Sequence, residues 1–189
     1  MKKIYTLLVL TISFSMNAQW EYNSNGVGIQ NTFSTASGDY STAMGLSTTA
    51  SGGQSTAMGR FTTASGISSL ALGYSTTASG HQSISAGNSS TASASYSTSI
   101  GYGSVASDCA SVVIGQYNSS ASSVTNNATS FNTANTAFVI GNGTASNAKS
   151  DAFKVMFNGD ATVSNDLTVS GDVVVSSDAR LKSNIVSLG

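Results

Sequence analysis

Between Ser34 and Gly115 the chain repeats itself every fourteen residues, and this beat constrains the fold more than any other feature. Ala36, Ala50, Ala64, Ala78, Ala92 and Ala106 recur in step, each followed by a serine. Gly45, Gly59, Gly73, Gly87, Gly101 and Gly115 keep the same interval, each with a serine four places before it. A fixed short period means that each repeat is one structural unit, which buries its apolar face only by stacking on its neighbours. Fourteen residues allow two strands of about four or five residues joined by two tight turns, a thin two-sided parallel roll.

Side-chain parity gives an expected orientation. Thr42 and Met44 alternate with Ser41, Ala43 and Gly45, the period of a strand. The more apolar parity (Thr42/Met44, Thr56/Met58, Leu70/Leu72, Ile84/Ala86, Thr98/Ile100 and Val112/Ile114) is placed inside. In the other half of each coil, Thr-Ala-Ser directs alanine one way and the hydroxyls the other. Glycines supply the corners, where positive φ costs little. The expected fold class is all-β: a parallel β-roll or β-solenoid of 14-residue coils followed by a short β-stalk. Ordering fourteen residues costs roughly 14 to 28 kcal/mol, whereas burying one Met or Leu returns about 1.5 to 3 kcal/mol. A single coil therefore cannot stand. The small Ser41/Ala43 parity would let another chain approach closely, so a homo-oligomer is expected.

These residues resemble the head repeats of YadA-like trimeric autotransporter adhesins over positions 34–115. The resemblance implies a left-handed parallel β-roll assembled as a homotrimer. It also implies an adhesin that attaches to a host or matrix protein or to a glycan surface.

The remaining segments follow in order. Residues 1–18 read as a secretory signal peptide: Lys2 and Lys3, an apolar run from Ile4 to Phe14, then Ala18 at the expected cut. That run is too short to span a bilayer, and nothing after it reaches the length of a helical span. The mature chain is expected to be secreted or cell-surface. Residues 19–33 read as an N-terminal cap, with Trp20 and Tyr22 covering the end of the roll, and 34–117 as the repeats. In 118–150 the beat slips, which reads as distorted last coils and a transition loop. In 151–176, Phe153, Val155 and Phe157 alternate with Lys154 and Met156, Asn158-Gly159-Asp160 forms a turn, and Asp160, Asp166, Asp172 and Asp178 set a six-residue period. Those aspartates match neither the nonapeptide calcium roll nor an EF-hand loop, so they read as turn residues.

Charge excludes one class of partner. Charged residues make up 8% of the chain, and between Asn31 and Tyr117 they are Asp39, Arg60 and Asp108. So neutral a surface cannot bind nucleic acid by counterion release. His81 and Cys109 share a repeat position with Asp39, Gly53, Ile67 and Ser95, so that position reads as an outward turn; Cys109 lacks an intrachain partner and could bridge chains. The chemically mixed corner residues Tyr40, Leu46, Arg60, Tyr74, Asn88, Tyr96 and Tyr102 form the candidate binding surface, because tyrosine offers apolar area and a hydroxyl together. No cofactor or metal is called for.

At the end, Ser176 to Ile185 resembles the opening of the endosialidase-type intramolecular chaperone of tail fibres, a self-cleaving domain. The resemblance implies Ser177 as nucleophile and Lys182 as its general base, cutting after Ser176. Only thirteen residues run from Ser177 to Gly189, so 177–189 reads as a truncated chaperone start without a pocket to lower the lysine pKa, and no enzyme activity is expected. Two alternatives to the adhesin stand beside it. One is a hydroxyl lattice on the Thr-Ala-Ser face that binds ice or polysaccharide, regular at about 4.8 Å between coils and about 6.7 Å along the strand. The other is a self-processing fibre precursor.

Overall fold

The computed structural model describes residues 20–22, 28–31, 33–119 and 128–170. The chain opens with β1 (Trp20–Tyr22) and β2 (Ile29–Asn31). Short and long strands then alternate: β3 (Thr35–Ala36), β4 (Thr42–Leu46), β5 (Thr49–Ala50), β6 (Thr56–Arg60), β7 (Thr63–Ala64), β8 (Leu70–Tyr74) and β9 (Thr77–Ala78). They continue as β10 (Ile84–Asn88), β11 (Thr91–Ala92), β12 (Thr98–Tyr102), β13 (Val105–Ala106) and β14 (Val112–Gln116). Three more strands follow, β15 (Thr136–Asn142), β16 (Asp151–Met156) and β17 (Ala161–Val163). The long strands form an eleven-stranded sheet, β1-β2-β4-β6-β8-β10-β12-β14-β15-β16-β17, and the short ones a six-stranded sheet from β3 to β13. Successive coils pair in parallel with the repeat in register, so Gly45, Gly59 and Gly73 stand one above another. The fold is a β-solenoid of stacked 14-residue coils. Among the described residues no helix is long and apolar enough to cross a membrane.

The interior is the reverse of the expected one. Ala43, Ala57 and Ala71 of the long strands are fully buried and meet Ala36, Ala50, Ala64 and Ala78 of the short ones. Thr42, Met44 and their equivalents face outward: Met58 is 37% exposed and Ile100 44%. Two sheets joined by corners this tight leave room for side chains the size of alanine, serine and threonine, so the larger apolar residues are turned out. Among the described residues the largest buried apolar side chains are Val113 and Val139, and no Leu, Ile, Met, Phe or Tyr is buried.

The interior also shows compensation between facing positions. Ala57 and Thr62, or Ala71 and Thr76, become Ser85 and Ser90, then Ser99 and Ser104, all buried. The two pairs have the same number of side-chain heavy atoms, so a methyl lost on one sheet is replaced by a hydroxyl on the other. The serine pairs hydrogen-bond across the roll, Ser85 Oγ to Ser90 Oγ at 3.0 Å and Ser99 Oγ to Ser104 Oγ at 2.9 Å. Ala71→Ser alone overfills its rung and Thr76→Ser alone leaves a void, each costing about 1 kcal/mol. Together they should recover most of that loss, a coupling of about 1 kcal/mol readable in a double-mutant cycle by urea denaturation.

Two corners close each coil. At one, Gly45 and its equivalents take φ between +96° and +140°, and the residue after the long strand (Ser47, Phe61, Ser75, Ser89) is left-handed. At the other, Tyr40, Gln54, Ser68, Gln82, Tyr96 and Ala110 are left-handed. These conformations cost free energy in non-glycine residues. They are held because each corner donates to the previous coil, as Phe61 N–H does to Leu46 C=O (2.9 Å) and Gln54 N–H to Asp39 C=O (2.7 Å).

The stack is finished at both ends. On the long sheet, β1 runs antiparallel to β2. At the other end β16 runs antiparallel to β15 and β17 to β16. Residues of the expected stalk thus add to the roll's own sheet up to Val163, turning at Gly159 (φ +93°), and no strand follows among 164–170. On the short sheet the ends are closed by side-chain carboxamides. Gln30 Oε1 accepts from Ala36 N–H (2.9 Å), while buried Asn118 accepts from Val105 N–H (2.7 Å) and donates to Val105 C=O (3.0 Å). Each amide stands in for the missing next strand and blunts an open edge.

Candidate functional site

The outward face of the long sheet carries the apolar side chains that the interior has no room for. Strand register aligns Met44, Met58, Leu72, Ala86, Ile100 and Ile114 in one rank. Phe138 and Ile140 continue from Val112 and Ile114, and Val155 and Phe153 pair with them from β16. Phe138 and Phe153 meet edge to face, with ring centroids 6.3 Å apart. The result is a continuous apolar stripe along one side of the roll. Contiguous exposed apolar area of this kind marks an interaction surface.

The corner residues expected to bind a partner fall on two separate edges. Leu46, Arg60, Tyr74, Asn88 and Tyr102 stand in one in-register column at the ends of the long strands. Tyr40 and Tyr96 lie at the opposite corner, 72% and 54% exposed. Two residues missed in the sequence complete clusters on the first edge. Phe61 meets Tyr74 edge to face at 5.9 Å with the Arg60 guanidinium over both rings, and Tyr117 meets Tyr102 at 5.0 Å. The contact with Tyr102 raises the Tyr117 phenol pKa, its hydrogen bond being the largest cause. Phe61 and Tyr117 were findable, since each breaks a column otherwise held by Ser47, Ser75, Ser89 and Gly103. On the second edge His81 packs against Tyr96 at 5.7 Å.

Cys109 is not the outward residue its repeat position implied. It is 3% exposed, next to buried Asp108, whose carboxylate accepts from Thr136 N–H at 2.9 Å as the chain returns to β15. The returning segment also reaches this corner, where Ser95 N–H donates to Ala128 C=O. Burial raises the thiol pKa, so at neutral pH the thiol is protonated and unreactive. An aromatic disulfide reagent should therefore modify Cys109 slowly in the folded protein and within seconds in denaturant; rapid modification without denaturant would contradict its burial. His81, by contrast, is exposed. Ser177 and Lys182 lie outside the described residues. Among the described residues no group of three or more His, Cys, Asp or Glu could hold a metal ion.

Residues 36–62, 64–90, 78–104 and 92–118 match the YadA head domain repeat (two copies). No curated protein and no solved structure matches the chain.

Proposed function

With a coil stack built of YadA-like head repeats as the premise, we propose that the chain is the head of an exported, non-enzymatic, homotrimeric adhesin. Three copies would bury the apolar stripe of the long sheet against one another and present corners and short sheets to the surroundings. The observation that carries this reading is the inverted roll: Met58, Ile84 and Ile100 are turned out while alanines fill the interior. At about 1.5 to 3 kcal/mol per fully buried large apolar side chain, most of the available hydrophobic stabilisation lies between chains rather than within one. Attachment to a matrix protein or glycan surface would then use the exposed corner clusters around Arg60 and Tyr102.

Light scattering on the mature chain should give about three chain masses. A folded monomer would overturn the reading. Signal-peptide removal after Ala18 is checked by the N-terminal sequence of exported protein.

One observation favours a second reading. Thr35, Thr49, Thr63, Thr77 and Thr91 stand in register on the outward side of the short sheet, a ladder of hydroxyls suited to ice or polysaccharide. Thermal hysteresis and retention on insoluble glycan test it, and absence of both removes it.

A further inference from the structure

The two sheets end at different places. The short sheet stops at β13, while the long sheet continues through β14, β15, β16 and β17. Among the described residues the inward side of the last strands therefore has no second sheet opposite it, and a cleft of about 450 Å³ opens there, within the size range of small-ligand sites. Lys154 pairs with buried Val139 and so lies on this inward side, with its cross-strand partner Thr162. Strand alternation sends Phe153 and Val155 to the apolar stripe on the other side, so assembly through that stripe leaves the cleft open.

Among the described residues the cationic side chains are Arg60, Lys149 and Lys154, and the last two line this cleft. Neither ammonium is engaged in an ion pair among the described residues. The acidic group in the lining is Asp151, whose Oδ1 accepts from Ser119 N–H at 2.8 Å. Its pKa is raised by burial, opposed by that hydrogen bond and by the charge of Lys154. The rest of the lining is hydroxyl and amide, including Asn142, Thr162 and Asn165, with no aromatic or aliphatic floor. The rim is pinned: Ser150 Oγ donates to Asn142 Oδ1 at 2.7 Å, Ser164 Oγ to Asp151 C=O, and Asn142 N–H to Ser150 C=O at 3.0 Å.

We propose that this cleft binds an acidic saccharide, with the Lys149 and Lys154 ammoniums on the sugar carboxylate and the surrounding hydroxyls and amides on its ring hydroxyls. A ligand with a large apolar or stacking surface finds no partner in such a lining. A polyol with one carboxylate matches both its charge and its donors and acceptors. Capture here deepens the adhesive reading by naming a ligand class, yet the cleft belongs to one chain and does not depend on trimer formation.

The test is titration of the mature protein with galacturonate, with its methyl ester (same ring hydroxyls, no charge) and with sulfate, followed by calorimetry. Saturable binding of the acid is expected, with no binding of the ester and no displacement by equimolar sulfate. Lys149→Gln or Lys154→Gln should each weaken binding on the order of tenfold, as for loss of one charge-assisted hydrogen bond. The double variant should lose it while keeping the circular dichroism and mass of the parent. Absence of saturable binding, equal binding of acid and ester, or retention in the folded double variant would overturn the site. Equal competition by sulfate would reduce it to an anion site and overturn the saccharide assignment. Light scattering on the same samples reads assembly separately, so a binding-competent monomer would refute the trimer and leave the cleft standing.

Discussion

Gly73→Ala is expected to destabilise the roll by about 3 to 5 kcal/mol, a large share of a domain's total stability. Gly73 has φ +117°, and a Cβ placed on it would stand 2.1 Å from the Gly87 carbonyl oxygen of the next coil. That oxygen belongs to the parallel ladder, so it cannot withdraw without breaking the stack. The same obstruction recurs at Gly45, Gly59, Gly87 and Gly101. Gly53 supplies the control: its backbone is ordinary, and the nearest atom to an added Cβ, the Asp39 carbonyl oxygen, is 4.0 Å away. Gly53→Ala should stay within about 0.5 kcal/mol of the parent. Thermal melts followed by circular dichroism compare the two. Equal melting temperatures would mean that the coils are not in the register described here.

Leu72→Asp is expected to dissociate the proposed trimer. Leu72 sits mid-stripe between Met58 and Ala86. In a trimer the substitution would bring three carboxylates into one dry contact, at a cost of several kcal/mol for each. Thr77→Asp, on the outward side of the short sheet, should leave the mass unchanged. The measurement is light scattering across a dilution series. A trimer that survives Leu72→Asp and fails with Thr77→Asp would place the interface on the wrong face.

The repeat was legible because Ala36 to Ala106 and Gly45 to Gly115 are spaced by backbone requirements, and those requirements act at every rung. Which face points inward was not legible from hydrophobicity. Met44, Leu72 and Ile100 look like core residues, and in a wide sandwich they would be. Here the interior is thin and the larger apolar side chains are turned outward. The constancy of Ala43, Ala57 and Ala71, and their exchange for serine together with Thr76 and its equivalents, carried the right signal. Burial of Cys109 and the Lys149–Lys154 cleft depend on how residues 128–150 pack against the coils. The interval from Gly115 to Gly141 shows in the sequence that the beat slips, but not what the slipped segment covers. The register of β15, pairing Gly115 with Gly141, is a tertiary fact.

The carboxamides of Gln30 and Asn118 have a consequence for size. Rungs that all present the same edge form a template without a last copy, and nothing in the alternation of alanine and glycine tells such a column to stop growing. On the short sheet one side chain at each end supplies that instruction by occupying the place where another molecule's strand would dock, and on the long sheet the antiparallel β1 and β16 break the repeating edge. The protein is thus a ruler with fixed stops: inserting one whole coil between them should lengthen it by about 4.8 Å, without turning it into a filament.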